Sequence, residues 1–347
     1  MSNLEKDPAE LLVEERPLAD ASRNLTGAEA GFETRAATPR APQPAGLEIL
    51  EPREVPLGGP RAMGVRRTLP QRQRSLIGGW CFVDHYGPEE TAMVVPPHPH
   101  TGLQTVSWLF EGEVDHRDSV GSHAAVRPRE LNLMTAGHGI AHSEISQVAQ
   151  GMSTVIHGAQ LWIALPDAHR DHAPFFERTV TSPIQLGPAV AHVFIGELGG
   201  VRSPATVFSP LVGAQLDVPA GATLRLEVDA GFEHGILVDA GDVTVEREPV
   251  PMSHLAYLPT GRSTITIEAG ALDARLLLIG GEPLNESIVM WWNFIARTHE
   301  EIVGFRDAWQ ADVIAGGNPS GRFGFVPYEG SPLPAPELPG IRLKPRA

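Results

Sequence analysis

The chain has 347 residues, 42% of them hydrophobic and 20% charged, a balance that fills a globular core and excludes wholesale disorder. Its formal net charge is −15, and its only lysines are Lys6 and Lys344; such a surface repels phosphate backbones and anionic bilayers, so neither a nucleic acid nor a membrane is expected as a direct partner. No apolar run approaches the roughly 20 residues that span a bilayer, and the lone Cys81 forbids an internal disulfide and fits a reducing cytoplasm.

The acidic start, "MSNLEKDPAE", has no apolar stretch of the kind a signal peptide needs. Residues 1–46 read as an N-terminal extension, with a short helix over "DPAELLVEERPLADASRN" (7–24) and a linker at "AATPRAPQPAG" (36–46). From Leu47 the texture changes to brief runs rich in Val, Ile, Trp and Thr between Gly and Pro: "LEIL", "MGVRRTL", "WCFVDHYG", "TVSWLFEGEVDHRD", "RELNLMTAG" and "GAQLWIALP". That grammar predicts an all-β sandwich or barrel over 47–166. "FEGEV" (110–114) reads as the turn of a hairpin. Cys81, among apolar neighbours, reads as a small buried hydrophobe.

A second block, 167–290, repeats the grammar in "TLRLEV", "HGILVDAG", "DVTVE", "STITIEA" and "ARLLLIGG". Two β blocks of similar size imply a duplicated barrel, although the halves share no close identity. The tail, 291–347, opens on Trp291 and Trp292, which read as packing between domain and tail. In "THEEIVGFRDAWQADVI" (298–314), Ile302, Val303, Phe305, Ala308, Trp309 and Val313 share one helical face, and Thr298 with Glu301 spells a capping box. The Pro-rich end reads as extended.

The chemistry concentrates in two segments. In "VPPHPHTGLQ" (95–104), His98 and His100 sit two apart, so on a strand they project to one face while Pro99 points away. Alone, the pair is equally well two surface histidines on a loop. "MTAGHGIAHSEISQ" (134–147) adds His142 and Glu144 at the same spacing. If the two segments are neighbouring barrel strands, three imidazoles and a carboxylate surround one divalent ion. This mixed N/O set suits Fe(II), Mn, Ni, Cu, Co or Zn, and four protein ligands leave open positions on an octahedral ion. His116 reads as a hydrogen-bonded neighbour of the site rather than a ligand. His123, His157, His169, His172 and His192 read as solvated, and Asp84–His85 as a tie between a loop and the barrel. His234 and His254 lie in no HxH pattern, so the second barrel reads as metal-free.

"PPHPHTGLQTVSWLFEGEVDHRDSVG" followed by "MTAGHGIAHSE", with "FVDHYGP" upstream, resembles the pirin family over roughly residues 47–290. The resemblance implies a bicupin: two tandem cupin barrels, here with a short C-terminal helical tail and an N-terminal extension. It implies iron held by His98, His100, His142 and Glu144. Some family members act as quercetin 2,3-dioxygenases and others as iron-dependent transcriptional co-regulators. The sequence departs from the family's HPHRGFETV at Thr101 and Gln104, and from AGRG at His138. Glutamine is no carboxylate base, though it can hydrogen-bond beside a site.

Two functions follow. One is a dioxygenase of flavonol type, with a small aromatic enol and O2 as partners, Glu144 as proton acceptor, and Gln104 and His138 orienting the site. The other is a non-enzymatic, redox-responsive regulator that binds a protein partner. A monomer is expected.

Overall fold

The structure is a computed structural model that describes residues 46–56, 63–146 and 155–346. The helix expected at 7–24 and the linker before Gly46 lie outside the described residues. In chain order the first strands are β1 (Glu48–Leu50), β2 (Arg53–Pro56), β3 (Gly64–Leu69), β4 (Trp80–Glu90), β5 (Val94–His100), β6 (Leu103–Glu111), β7 (Val114–Asp118), β8 (His123–Val126), β9 (Glu130–Thr135), β10 (Ile140–Ser146), β11 (Val155–Ala164) and β12 (Phe175–Val180). The second half contributes β13 (Pro183–Leu186), β14 (Ala189–Leu198), β15 (Val201–Arg202), β16 (Leu211–Val218), β17 (Thr223–Glu227), β18 (Glu233–Ala240), β19 (Val243–Val245), β20 (Glu248–Val250), β21 (Leu255–Leu258), β22 (Thr264–Ala269) and β23 (Ala274–Gly281). The tail holds the hairpin β24 (Val289–Trp291) and β25 (Phe294–Ala296), then helix α1 (His299–Trp309).

The duplication read from the sequence is present strand for strand. Each half has a small antiparallel sheet, ordered β5-β10-β7-β8 in the first and β17-β22-β19-β20 in the second. Each also has a large one, β12-β9-β6-β11-β4-β3-β2 against β1-β21-β18-β23-β16-β14-β13. Superposing these orders pairs β2 to β11 with β13, β14 and β16 to β23 in sequence.

Two strands cross the boundary expected at 166/167. β12, from the second block, extends the first barrel by pairing with β9. β1, from the first block, pairs with β21 of the second barrel. The apolar grammar locates such strands, but an edge strand's own residues do not say which sheet it joins. The hairpin expected at "FEGEV" is also corrected: the turn at Gly112 joins β6 to β7, which belong to different sheets.

The large sheets pack back to back. Alternation along β6 sends Val106 and Trp108 to that interface, where they join Leu237, Leu255, Leu277 and Ile279 of the second half. Trp108 stacks on Phe194 at 4.6 Å between ring centroids, and its Nε1–H donates to Gln215 Oε1 at 2.9 Å. Burying each such side chain contributes roughly 1.5–3 kcal/mol, so this face holds the halves together.

The tail folds back over the first barrel. Trp291, Trp292, Phe294, Ile302 and Trp309 cluster with Ala141 of β10, so the paired tryptophans do pack tail against domain. The capping box forms: Glu301 N–H donates to Thr298 Oγ1 at 3.2 Å and Thr298 N–H to Glu301 Oε2 at 3.1 Å. Residues 310–314 continue as a π-helical turn rather than α-helix. No helix among the described residues is long and apolar enough to cross a membrane.

Candidate metal centre

β5 and β10 pair with His142 opposite His98 and Ile140 opposite His100, but Glu144 lies opposite Val95. One more residue therefore stands on β5 than on β10 across this step: a β-bulge at Pro96 and Pro97. Proline has no N–H for the ladder, and a bulge is where a strand tolerates that loss. The bulge leaves Pro96 O to accept a hydrogen bond from His98 Nδ1 at 2.9 Å. The opposite ring nitrogen, Nε2, is buried and has no partner.

His98, His100 and His142 are fully buried, and one nitrogen of each lies within 4.8 Å of the others. Their ring centroids are 4.3–5.2 Å apart. Burial holds all three well below the usual histidine pKa, so they are neutral, the form that binds metal. His142 Nδ1 faces His116 Nδ1 at 3.4 Å, and His116 Nε2 faces Asp118 Oδ2 at 3.2 Å. The aspartate accepts from His116, which in turn accepts from His142. That network assigns the proton of His142 to Nδ1 and leaves Nε2 a lone pair. His142 Nε2 lies 3.1 Å from His100 Nε2. Two nitrogens at about 2.1 Å from one ion and at right angles stand about 3.0 Å apart. The donor set thus fits a divalent metal in identity, protonation and spacing.

Glu144 shares β10 with His142 and is buried. Its carboxylate groups with His142 and His116, while His98, His100 and His142 form the other, overlapping group. Among the described residues no four side chains fall into one such group, and His142 links the two. Burial first, and then the charges of Glu144 and Asp84, raise the Tyr86 phenol well above its ordinary pKa. Tyr86 therefore stays protonated beside the carboxylate. Trp162 meets His100 edge-on at 5.1 Å, and Phe176 stacks on His116 at 4.5 Å.

Several expected neighbours lie elsewhere. Gln104 Nε2 donates to Thr135 Oγ1 at 2.8 Å and to Thr206 O at 2.9 Å, on the inter-barrel side shared with Val106 and Trp108. His138 is exposed, and its carbonyl accepts from Arg322. Neither orients the ligands. Asp84 and His85 are strand residues, not a loop tie. Asp84 pairs with Arg67 inside the barrel at 2.7 Å, while His85 faces the second barrel. His157 and His192, read as solvated, are buried. Cys81 is buried, as expected, and burial pushes its thiol pKa up. The sequence did not single out Asp118 or Tyr86; the i, i+2 spacing of His116 and Asp118 on one strand was the available signal for the first.

A second His/Asp group spans the barrels. His85 Nε2 and His157 Nε2 each lie 2.6 Å from Asp239 Oδ1, and Arg275 Nε donates to Asp239 Oδ2 at 2.5 Å. Arg275 Nη2 also donates to His157 Nδ1 at 3.3 Å, which fixes that ring's proton on Nε2. With the nitrogens engaged and a guanidinium alongside, this group is a polar tie between barrels rather than a metal site.

Two cupin barrels back to back, the first with a histidine cluster and a carboxylate on its small sheet, define a bicupin with a candidate metal centre. Family models described as pirin and as the pirin C-terminal cupin domain match residues 62–163 and 213–314. The chain belongs to the pirin family. It is 40% identical over 299 residues to a Pseudomonas aeruginosa protein that carries the provisional name quercetin 2,3-dioxygenase, covering 84% of this chain and 91% of that one. Human pirin is 30% identical over 226 residues, 61% of this chain and 76% of its own. A crystal structure of a quercetin 2,3-dioxygenase from Acinetobacter baumannii superposes with a TM-score of 0.78 at 37% identity, covering 86% of this chain and 98% of that one.

Proposed function

We propose that the protein is a metal-dependent dioxygenase that opens flavonol-like enols. The observation that carries this reading is the convergence of His98, His100 and His142, all neutral and buried, with His98 Nε2 unpartnered. His98, His100 and His142 would hold the metal, with Glu144 as the fourth ligand; Fe(II) is the favoured ion. A divalent ion supplies Lewis acidity toward an enol hydroxyl and redox chemistry toward O2. Glu144 accepts the proton that the enol hydroxyl loses. His116 and Asp118 keep His142 in the ligating tautomer. Trp162, edge-on to His100, and Phe176, stacked on His116, pack apolar rings against the histidine cluster and hold two of its imidazoles in place. The names of the Pseudomonas and Acinetobacter relatives support the reading.

The test is O2 uptake by iron-loaded protein with quercetin and a panel of small enols. Uptake is expected from the wild type and is lost in His98→Ala together with the metal. In Glu144→Gln, uptake is expected to fall by about 10²-fold or more, the scale of a lost proton transfer. No uptake by a fully loaded sample on any of these substrates would overturn the reading.

A further inference from the structure

The second barrel has its own cavity, of about 480 Å³, within the range of small-molecule sites. It opens between the ends of β14 and β17 and the start of β18. Strand for strand, this is the end where β5 carries His98 and His100 in the first barrel. The inward residues of β17 and β22, counterparts of the ligand strands, are Leu224, Leu226, Ile265 and Ile267. None of these side chains can ligate a metal. The polar group reaching the cavity from within the barrel is His234 on β18. It is only 1% exposed, and its Nδ1 has no hydrogen-bond partner. The ring makes no hydrogen bond to any described residue, so a cavity ligand that bonds to it displaces no protein partner.

The walls decide the ligand's class. Leu198, Val212 and Leu226 are buried and Phe232 is half-buried, so the body of the ligand is apolar. Burial lowers the His234 pKa to about 4, so the ring is neutral and both donates and accepts. At the rim, Glu197, Glu227 and Asp229 outnumber Arg225 and disfavour an anion. Depth among leucines disfavours a cation. A hydroxyl satisfies either role that the ring presents.

We propose that this cavity binds a small neutral molecule with an apolar body and one hydroxyl group, which hydrogen-bonds to His234. The site is separate from the metal centre and needs no metal.

The probes are 2-naphthol, naphthalene and 2-naphthoate, titrated into the full chain by equilibrium dialysis. 2-Naphthol is expected to bind saturably, with equal affinity in the wild type and in His98→Ala, and to shift the His234 ring resonances in the NMR spectrum of the wild type. His234→Phe should weaken 2-naphthol about tenfold, equivalent to about 1.4 kcal/mol, and leave naphthalene unchanged. Absence of saturable 2-naphthol binding, an unmoved His234 resonance, or loss of binding in His98→Ala would overturn the proposal. Tighter binding of 2-naphthoate than of 2-naphthol would overturn the ligand class. The ring resonance is read on the wild type and does not depend on any variant folding.

Discussion

His98 donates its Nδ1 proton to the carbonyl of Pro96, two residues before it, at 2.9 Å. The bond exists because two prolines bulge β5 at that point. It turns a local backbone irregularity into a decision about which imidazole nitrogen faces the cluster. His142 reaches the same result through a longer route, via His116 and Asp118. Both devices place lone pairs toward one point in the first barrel.

The His116 route gives the first prediction. His116→Ala removes the acceptor of His142 Nδ1 and frees that ring to change tautomer. Metal affinity is expected to fall about 10–100-fold, the usual cost of losing such a partner. Competition with a chromophoric chelator measures it. An unchanged affinity would show that the relay does not set the ligating nitrogen.

Gln104 gives the second. Its hydrogen bonds go to Thr135 and Thr206, so Gln104→Ala should destabilise the fold by about 1–2 kcal/mol. Metal content and O2 uptake per loaded site are expected to stay at wild-type values. A denaturant titration beside a metal assay separates the two effects. A loss of activity at full metal loading would return Gln104 to the reaction.

The position of Gln104 shows where the sequence was legible and where it was not. Counting by twos from His98 and His100 puts residue 104 on the ligand face. The count fails because Gly102, at φ +68°, ends β5 and turns the chain into another sheet. An added Cβ at Gly102 would sit 2.5 Å from Ile295 O of the tail, so the turn and the docked tail require each other. Within unbroken strands the same counting succeeded: His142 with Glu144 and His98 with His100 share faces. The capping box at Thr298 was legible because its residues are three apart. The exchange of β1 into the second barrel and the burial of His157 were not. Both are decided by the opposite barrel, more than 80 residues away in the case of Asp239.

The inter-barrel tie supplies the third prediction. Asp239 is fully buried and receives His85, His157 and Arg275. Asp239→Ala leaves the Arg275 charge and two imidazoles facing an apolar void, and removing one partner of a buried pair costs about 3–5 kcal/mol. Arg275 keeps 31% of its side chain exposed, which places the expected loss near the lower end. Urea unfolding of the variant measures it. A loss below about 1 kcal/mol would mean that Trp108, Phe194 and their neighbours hold the barrels without this tie.

His234 supplies the last prediction, with a sign that can be worked out. Its folded pKa is lowered to about 4 from 6.5, chiefly by burial. Between those values the unfolded chain takes up a proton that the folded chain refuses. Stability is therefore full above about pH 6.5 and falls as pH drops toward 4. At about 1.4 kcal/mol per pH unit, this one group removes about 3 kcal/mol across the window. His98, His100 and His142 are lowered as well and steepen the decline of the metal-free protein. The comparison of the wild type with His234→Phe isolates one contribution. Unfolding free energies measured by urea at pH 7.5 and pH 4.5, which span about two of those pH units, should differ by about 2–3 kcal/mol less in the variant. Equal differences in the two proteins would mean that the folded ring takes up its proton as the unfolded one does, because it is solvated or faces a hydrogen-bond acceptor, and the cavity beside it would then need no ligand to complete it.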